Sequence, residues 1–251
     1  MSSVIIARRS VSSDRASVGI LPAIVAALVV GVFVYIRVIP LDSIEARSLE
    51  VPLILNAVWE HIQLVLVSTL LTITIGVPLG VALTRKGARR IGGLILVGAN
   101  AGQAIPSIGV LVLLAILFGV GFWMAVIALL VYALLPVLRN TMVGIQQVDR
   151  AVIDAGRGMG MSTRQILSTI ELPLSIPVML AGIRVALILN VGVATLAAFT
   201  NAGGLGSIIS AGIALNRMPV LLVGSVLTIA LALSIDWLAG IAERLLRPRG
   251  I

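Results

Sequence analysis

Apolar residues in this sequence form long runs, which are separated by shorter polar and basic segments. A helix needs about 20 mostly apolar residues to cross a hydrocarbon core of about 30 Å. We therefore predict six transmembrane helices, at residues 18–39, 62–83, 91–120, 122–138, 176–199 and 219–238. The third run is too long for one straight crossing, and we predict a kink at Pro106 because proline removes a helix hydrogen bond.

The first run follows three arginines, so a secretory signal peptide is a competing interpretation. A signal peptide has an apolar core of about 7–15 residues and then a cleavage site with small residues. This run is longer, and residues 44–46 make a poor cleavage site. We therefore favour a membrane helix.

The composition agrees with a membrane protein and excludes several other classes. Apolar residues make up 59% of the 251 residues and charged residues only 11%, and the mean hydropathy is +1.18. A soluble domain is about 45–50% apolar and about 25% charged. The absence of cysteine excludes a secreted disulfide scaffold. An aromatic content of 4% argues against a nucleic-acid binder, in spite of the net charge of +8.

The basic residues are distributed unevenly between alternate loops, which predicts the orientation of the helices. With the N-terminus inside, 15 of the 18 basic residues fall on the cytoplasmic side, and only Arg37, Arg47 and Arg217 fall outside. Because Lys and Arg are enriched in cytoplasmic loops, we expect both termini to be cytoplasmic. The predicted segments are a tail at 1–17, a first helix at 18–39, a periplasmic segment at 40–60, a transmembrane domain at 61–246 with a cytoplasmic loop at 139–173, and a tail at 247–251.

The sequence contains no evident nucleotide or metal site. The single lysine, Lys86, is not part of a phosphate-binding loop, and the glycine-rich residues 156–160 and 203–206 do not follow predicted strands. We interpret His61, the single histidine, as a polar anchor at the membrane interface. A metal site would need several ligands at suitable spacing.

The loop at 139–173 predicts two short amphipathic helices outside the bilayer. Ser162 with Gln165 three residues later is typical of a capping box that begins the second helix, and Gly160 permits a sharp bend between the two. Pro173 and Pro177 are expected to end the second helix before the fifth span. Such a pair could lie on the membrane surface or bind a groove on a cytoplasmic partner.

The same loop resembles a motif of the permease subunits of binding-protein-dependent ABC importers. That motif reads Glu-Ala-Ala, three residues, Gly, nine residues, Ile-x-Leu-Pro. Here residues 154–156 are Asp-Ala-Gly, Gly160 follows after three residues, and residues 170–173 are Ile-Glu-Leu-Pro. Asp154 keeps a carboxylate in place of Glu, and Gly156 keeps a small residue in place of Ala. The resemblance covers about residues 61–243 and implies an all-α, type I importer permease of five core helices, with the first helix as an addition.

Within that family, the chain looks most like the osmoprotectant branch, which imports glycine betaine, choline, carnitine or related quaternary amines. The similar segments are IGVPLG at 75–80, AIPS at 104–107, YALLPVLRNT at 132–141, MGM at 159–161 and AGGLG at 202–206. Methionine importers share the loop and AGGLG, so methionine and sulfonate- or nitrate-like anions stay open as alternative substrates. A secondary transporter or channel would leave the loop motif unexplained, and a membrane-anchored enzyme would lack a catalytic constellation.

The resemblance implies a transport subunit, not an enzyme, in the inner membrane of a prokaryote. Two permease copies, identical or related, would enclose the path, and two cytoplasmic ATPase subunits would bind ATP and Mg²⁺, while this chain holds no cofactor or metal. A periplasmic or lipid-anchored binding protein would deliver the solute. The residues expected to form the ATPase-coupling loop are Asp154, Ala155, Gly156, Met159, Gly160, Met161, Ile170, Leu172 and Pro173, with Val152 and Ile153 as further apolar contacts.

A second set of residues is expected to form a gate or part of the path: Pro106, Ala202, Gly203, Gly204, Leu205 and Gly206. We call residues 202–206 the gate segment. Glycine lets backbones approach closely, which favours a tight turn here over a flexible connector. Asp236, in the last span, is expected to pair with a basic residue such as Arg184. Other polar residues of the spans either face the path or bond between helices: Asn100, Gln103, Ser107, Asn190, Thr195, Thr200 and Asn201.

Overall fold

The computed structural model describes residues 3–85 and 87–246, and every regular element in these ranges is helical. The helices are α1 (Ser3–Val38), α2 (Ser43–Ser48), α3 (Val51–Leu83), α4 (Arg89–Ala104), α5 (Ser107–Phe118), α6 (Phe122–Gln146), α7 (Arg150–Gly158), α8 (Thr163–Ile166), α9 (Leu172–Ala194), α10 (Leu205–Ala214) and α11 (Met218–Leu246). A π-helical turn, Leu167–Glu171, joins α8 to α9, and a 3₁₀ helix, Thr195–Thr200, follows α9. The predicted tail at 247–251 lies outside the described residues.

Five of the described helical stretches are long and apolar enough to cross a membrane. They match the predicted first, second, fourth, fifth and sixth spans, and their bounds are Gly19–Val38, Val51–Leu83, Phe122–Gln146, Thr163–Thr200 and Met218–Leu246. The predicted third span is instead a pair of shorter helices, Ile91–Ala104 and Ser107–Phe118, bent by 92°. The described chain thus has five spans, or six if the bent pair counts as one.

Pro106 lies at the break between α4 and α5, where the sequence predicts a kink. Ile105 and Pro106 are both extended, with ψ angles of 132° and 131°, because the proline ring disfavours helical backbone in the residue before it. Two hydrogen bonds connect the break to α6. The Tyr132 hydroxyl donates to the Ile105 carbonyl, and the Gln103 amide donates to the Tyr132 carbonyl over 2.8 Å. These bonds fix the break against α6.

Helix α6 lies at the centre of the bundle, between α3 and α9. Small residues bring these helices close together: a Cβ at Gly80 would lie 2.8 Å from the Thr141 side chain, and a Cβ at Gly182 would lie 2.5 Å from that of Asn140. Close packing matters here because apolar side chains gain little by leaving lipid. The buried side chains of this region include Leu64, Val65, Val126, Leu129 and Val191.

Helix α11 supports two elements at the edge of the bundle. Helix α1 packs along it, with Val32 buried in the shared cluster. The short helix α10 packs so closely against its start that a Cβ at Gly212 would lie 2.5 Å from the Leu221 backbone nitrogen. The additional first helix therefore attaches to the core mainly through α11.

The loop predicted at 139–173 is shorter than expected, because the flanking helices extend into it. Helix α6 continues to Gln146, and residues 163–200 form one continuous helical stretch. The prediction that Pro173 and Pro177 end a helix is therefore wrong. In the π turn the Leu172 N–H donates to the Leu167 carbonyl, five residues back. The hydrogen-bond pattern is thus shifted just before Pro173, and the helix continues past this proline into α9.

The second span begins eleven residues earlier than predicted, at Val51 instead of residue 62. The predicted periplasmic segment at 40–60 therefore contains the first turns of α3, which also carry Glu60 and continue into His61. It also contains α2, which is begun by a capping box between Asp42 and Glu45. This difference places Glu60 and His61 inside a helix that packs on the rest of the bundle.

Ion pairs link residues that the sequence assigns to the same side of the membrane. Arg217 and Asp42, both predicted outside, lie 2.8 Å apart, and so do Arg85 and Glu171, both predicted inside. Each of these two pairs thus joins residues that the charge distribution assigns to one side.

Candidate coupling surface and gate

Helix α7 presents an exposed apolar side at the same end of the molecule as the Arg85–Glu171 pair. Asp149 begins this helix, since its side chain accepts the Ala151 N–H over 2.9 Å. Val152, Ala155 and Met159 follow one another at helical spacing, and all three are exposed, Met159 to 75%. Exposed apolar side chains on one side of a helix are typical of a surface that binds a partner.

The turn after α7 holds this surface in place and has the geometry of a Schellman motif. Gly160 has a φ of +82°, its N–H donates to Arg157, and the Met161 N–H donates to the Gly156 carbonyl. These are the two bonds by which a left-handed residue ends a helix. Ser162 and Gln165 then form the predicted capping box of α8. The predicted bend at Gly160 and cap at Ser162 are both confirmed.

The residues predicted for the coupling loop divide into an outer and an inner group. Asp154 lies outside, with 66% of its side chain exposed, and pairs with Arg157 at 2.9 Å one turn along α7. Gly156 lies inside, where its added Cβ would be 2.8 Å from the Ile170 side chain. Ala155, Met159 and Gly160 join the outer group, whereas Met161, Ile170, Leu172 and Pro173 are half-buried. The residues of the motif thus form both the exposed surface and the contacts that attach it to the rest of the loop.

Arg85 and Glu171 connect this loop to the end of α3. Glu171 ends the π turn and is 13% exposed, and its carboxylate lies 2.8 Å from the Arg85 guanidinium. A cavity of about 720 Å³ lies beside them, and its charged lining residues are Arg85, Arg150, Arg157 and Glu171. The sequence alone does not predict this pair, since only the fold brings residue 85 near residue 171.

The gate segment follows the 3₁₀ helix and continues into the first turn of α10, and its glycines are needed there. Gly203 and Gly204 have φ angles of +78° and +85°, which L side chains rarely adopt. A Cβ at Gly206 would overlap the Thr195 carbonyl oxygen. The predicted tight turn is therefore present. Pro106, the other residue predicted for the gate, lies at the α4–α5 break and is exposed.

The gate segment is contacted by two residues of α3, Glu60 and His61, which were not among those predicted for the gate. The Glu60 carboxylate accepts the Gly204 N–H over 2.8 Å and the Asn56 amide over 2.7 Å. His61 is fully buried, and its Nε2 lies 3.1 Å from the Val191 carbonyl. The interpretation of His61 as an interfacial anchor is thus wrong, because α3 begins earlier than predicted. A carboxylate within a long apolar helix is a signal that could have identified Glu60.

Two groups of polar residues inside the bundle bond between helices. Arg184 makes two hydrogen bonds to Asp236, of 2.6 and 2.9 Å, and lies 3.6 Å from Glu243. The predicted pairing of Asp236 with Arg184 is confirmed, and it joins α9 to α11. The buried Asn190 donates to Ser68 and Thr69 and so joins α9 to α3; these two bonds measure 3.0 and 2.9 Å.

Comparison with known proteins adds a family match to this geometry. Residues 76–248 match the family described as "Binding-protein-dependent transport system inner membrane component". The choline transport system permease protein OpuBB of Bacillus subtilis is 40% identical over 200 residues, which cover 79% of this chain and 90% of that protein. The osmoprotectant import permease protein OsmY of Salmonella typhimurium is 36% identical over 213 residues, covering 85% of this chain and 89% of that protein.

Solved structures show a similar fold. A chain of the MetNI methionine ABC transporter, described as having inward facing conformations, superimposes with a TM-score of 0.69 at 26% identity. The match covers 79% of this chain and 98% of that one. An amino acid ABC transporter crystallised with histidines gives a TM-score of 0.68 at 16% identity, which supports the fold alone.

Proposed function

Because the chain belongs to the family of binding-protein-dependent transport system inner membrane components, we propose that it forms the membrane path of an ATP-driven importer for a quaternary amine. Its relatives at 36–40% identity are permeases for choline and other osmoprotectants, and the predicted resemblance to that branch is confirmed. The chain is a transport permease subunit of an osmoprotectant importer. Glycine betaine, choline and carnitine are the solutes that we propose.

The observation that carries this proposal is the exposed apolar side of α7. Val152, Ala155 and Met159 lie on a short helix fixed at one end by the Asp149 cap and at the other by the Gly160 turn. A rigid, apolar projection suits a subunit that receives motion from a partner, since a flexible loop would absorb that motion. We propose that a cytoplasmic ATPase, which binds ATP and Mg²⁺, receives α7 in a groove.

The remaining parts of the assembly follow from the same proposal. Two permease copies enclose the path, a binding protein delivers the solute on the outer side, and the termini lie in the cytoplasm of a prokaryotic cell. Because the chain resembles a transporter structure described as inward facing, we propose that the structure represents this state. The gate segment then closes the outer end of the path.

Uptake measurements test the substrate. We expect a strain that lacks this chain to lose uptake of labelled glycine betaine, choline or carnitine, and the restored chain to recover it. Labelled methionine serves as the control solute. Recovery of methionine uptake with no recovery of a quaternary amine would overturn the osmoprotectant assignment.

Two matched substitutions test the docking surface. Gly160→Val forces a β-branched side chain into a left-handed backbone, whereas Gly158→Val places the same side chain in open space on α7. We expect Gly160→Val to lose uptake and ATPase co-purification while the protein stays in the membrane, and Gly158→Val to retain ATPase binding. Asp154→Arg is expected to behave like Gly160→Val, and wild-type behaviour of both would refute the assignment of α7.

A further inference from the structure

The gate segment is attached to α3 through a carboxylate with both oxygens engaged. One Glu60 oxygen accepts the Gly204 N–H over 2.8 Å, and the other accepts the Asn56 amide over 2.7 Å. Asn56 lies one turn before Glu60 on α3 and so orients the carboxylate. Gly204 immediately precedes α10, and a negative charge is stabilised at a helix N-terminus.

The neighbouring Gly203 also lies against Glu60. A Cβ at Gly203 would overlap the Glu60 carboxylate, so the backbone of the gate segment lies directly against this side chain. Gly203 and Gly204 both have positive φ angles, a backbone conformation that glycine adopts far more readily than other residues. The contact therefore depends on the carboxylate and on both glycines.

His61 closes the other side of the same contact. Its Nε2 lies 3.1 Å from the Val191 carbonyl, and a carbonyl can only accept, so this nitrogen carries the proton. The other nitrogen, Nδ1, is buried without a hydrogen-bond partner among the described residues, and a Cβ at Gly204 would lie 3.1 Å from it. Gly204 is thus held between a carboxylate and an imidazole on consecutive residues of α3.

We infer that Glu60 is a positioning residue for transport: its carboxylate keeps the gate segment against α3 while the outer end is closed and releases it when that end opens. This inference rests on the proposed function of residues 202–206 as the outer gate. Asn56 and His61 support the contact, Asn56 by orienting the carboxylate and His61 by filling the space beside Gly204. We call this contact the Glu60 latch.

A single cysteine can report on the latch, since the chain has no native cysteine. Ala202 is buried, so Ala202→Cys should react slowly with a membrane-impermeant thiol reagent when the latch is closed. The assembled transporter is labelled from the outside, at rest and after trapping with ATP and vanadate. We expect slow labelling at rest and faster labelling in the trapped state.

Substitutions at Glu60 separate a latch from a static contact. A hydrogen bond to a charged group contributes a factor of roughly 10 or more to an equilibrium, so Glu60→Ala should raise resting labelling about tenfold, close to the trapped level. Glu60→Gln keeps an oxygen for the Gly204 N–H and should restore slow labelling. Glu50→Ala is the matched control, because Glu50 is exposed near the start of α3 and makes no capping bond.

Each outcome decides a different part of the inference. Resting labelling that stays slow in Glu60→Ala, or that rises equally in Glu50→Ala, would overturn the latch. Slow labelling of the parent protein in both states would show a static segment and remove both the latch and the gate. If Glu60→Ala fails to reach the membrane, Asn56→Ala is used, and an unchanged labelling rate there counts against the latch. If labelling follows the expected pattern but the transporter shows no ATP-driven uptake of a quaternary amine, the proposed function is contradicted and the latch is not.

Discussion

Each of the three glycines of the gate segment lies against a different neighbouring group, which leaves little space for a side chain. Gly203 lies against a carboxylate, Gly204 against an imidazole, and Gly206 against the Thr195 carbonyl oxygen. The sequence predicts a tight turn because glycines cluster there, but it cannot identify the partners, which come from α3 and from the start of the 3₁₀ helix. Glu60 is conspicuous in the sequence as a carboxylate in an apolar helix, but only the tertiary fold shows which segment it contacts.

Gly206→Ala is expected to destabilise the protein more than the other single-methyl additions. The added Cβ would overlap a backbone oxygen, which cannot rotate away, and overpacking of this kind costs about 1–3 kcal/mol or more. Gly192→Ala is the control, since a Cβ there meets nothing within 4 Å and alanine favours a helix by about 1 kcal/mol. Thermal unfolding in detergent should show a lower midpoint for the first variant and an equal or higher one for the second.

The sequence predicts elements that depend on local signals better than elements that depend on long-range contacts. The capping box at Ser162 and the turn at Gly160 were predictable because a few neighbouring residues determine them. The proline signals misled, because the π turn shifts the bonds just before Pro173 and α9 also continues through Pro177. The start of α3 was misplaced because its first turns carry polar residues that pack on the bundle.

The Arg85–Glu171 pair is expected to join the end of α3 to the π turn, and a double-mutant cycle can measure the coupling energy between the two residues. We expect Arg85→Ala and Glu171→Ala to show a coupling energy within the range of roughly 0.5–3 kcal/mol found for residues in contact, because Glu171 is largely buried. The cycle on Asp154 and Arg157, both exposed, should give no more than about 0.5 kcal/mol. Thermal unfolding of seven proteins, the parent and three variants for each cycle, provides both values. Equal coupling in the two cycles would show that Arg85 and Glu171 do not fasten the loop.

For the whole molecule, the hydrophobic pattern and the distribution of charge were sufficient to predict a helical membrane protein. The described chain has five apolar spans and a bent pair at Pro106. The 92° bend and its attachment to Tyr132 were not predictable, since they arise from packing against α6. The chain also resembles a methionine transporter with a TM-score of 0.69 at only 26% identity, so this architecture tolerates extensive sequence change.

The orientation of the whole molecule can be tested with two cysteines. Ala46 on α2 and Gly158 on α7 are exposed and lie on opposite sides of the membrane according to the basic residues. We expect Ala46→Cys to react with an impermeant thiol reagent in intact cells, and Gly158→Cys to react only after the membrane is permeabilised. The reverse pattern would invert the proposed topology.

Helix α3 connects the Glu60 contact to the end of the molecule that carries Arg85, so it can couple the free energies of the two ends. It carries Glu60 near one end and is followed by Arg85 at the other, and about 35 Å of continuous helix separates Glu60 from Leu83. If ATPase docking at α7 changes the stability of the Glu60 contact, thermodynamic reciprocity requires that breaking this contact change the ATPase affinity by the same factor. Glu60→Ala, which is remote from the ATPase, should therefore alter the dissociation constant of the ATPase, and that measurement gives the free energy shared between the two ends.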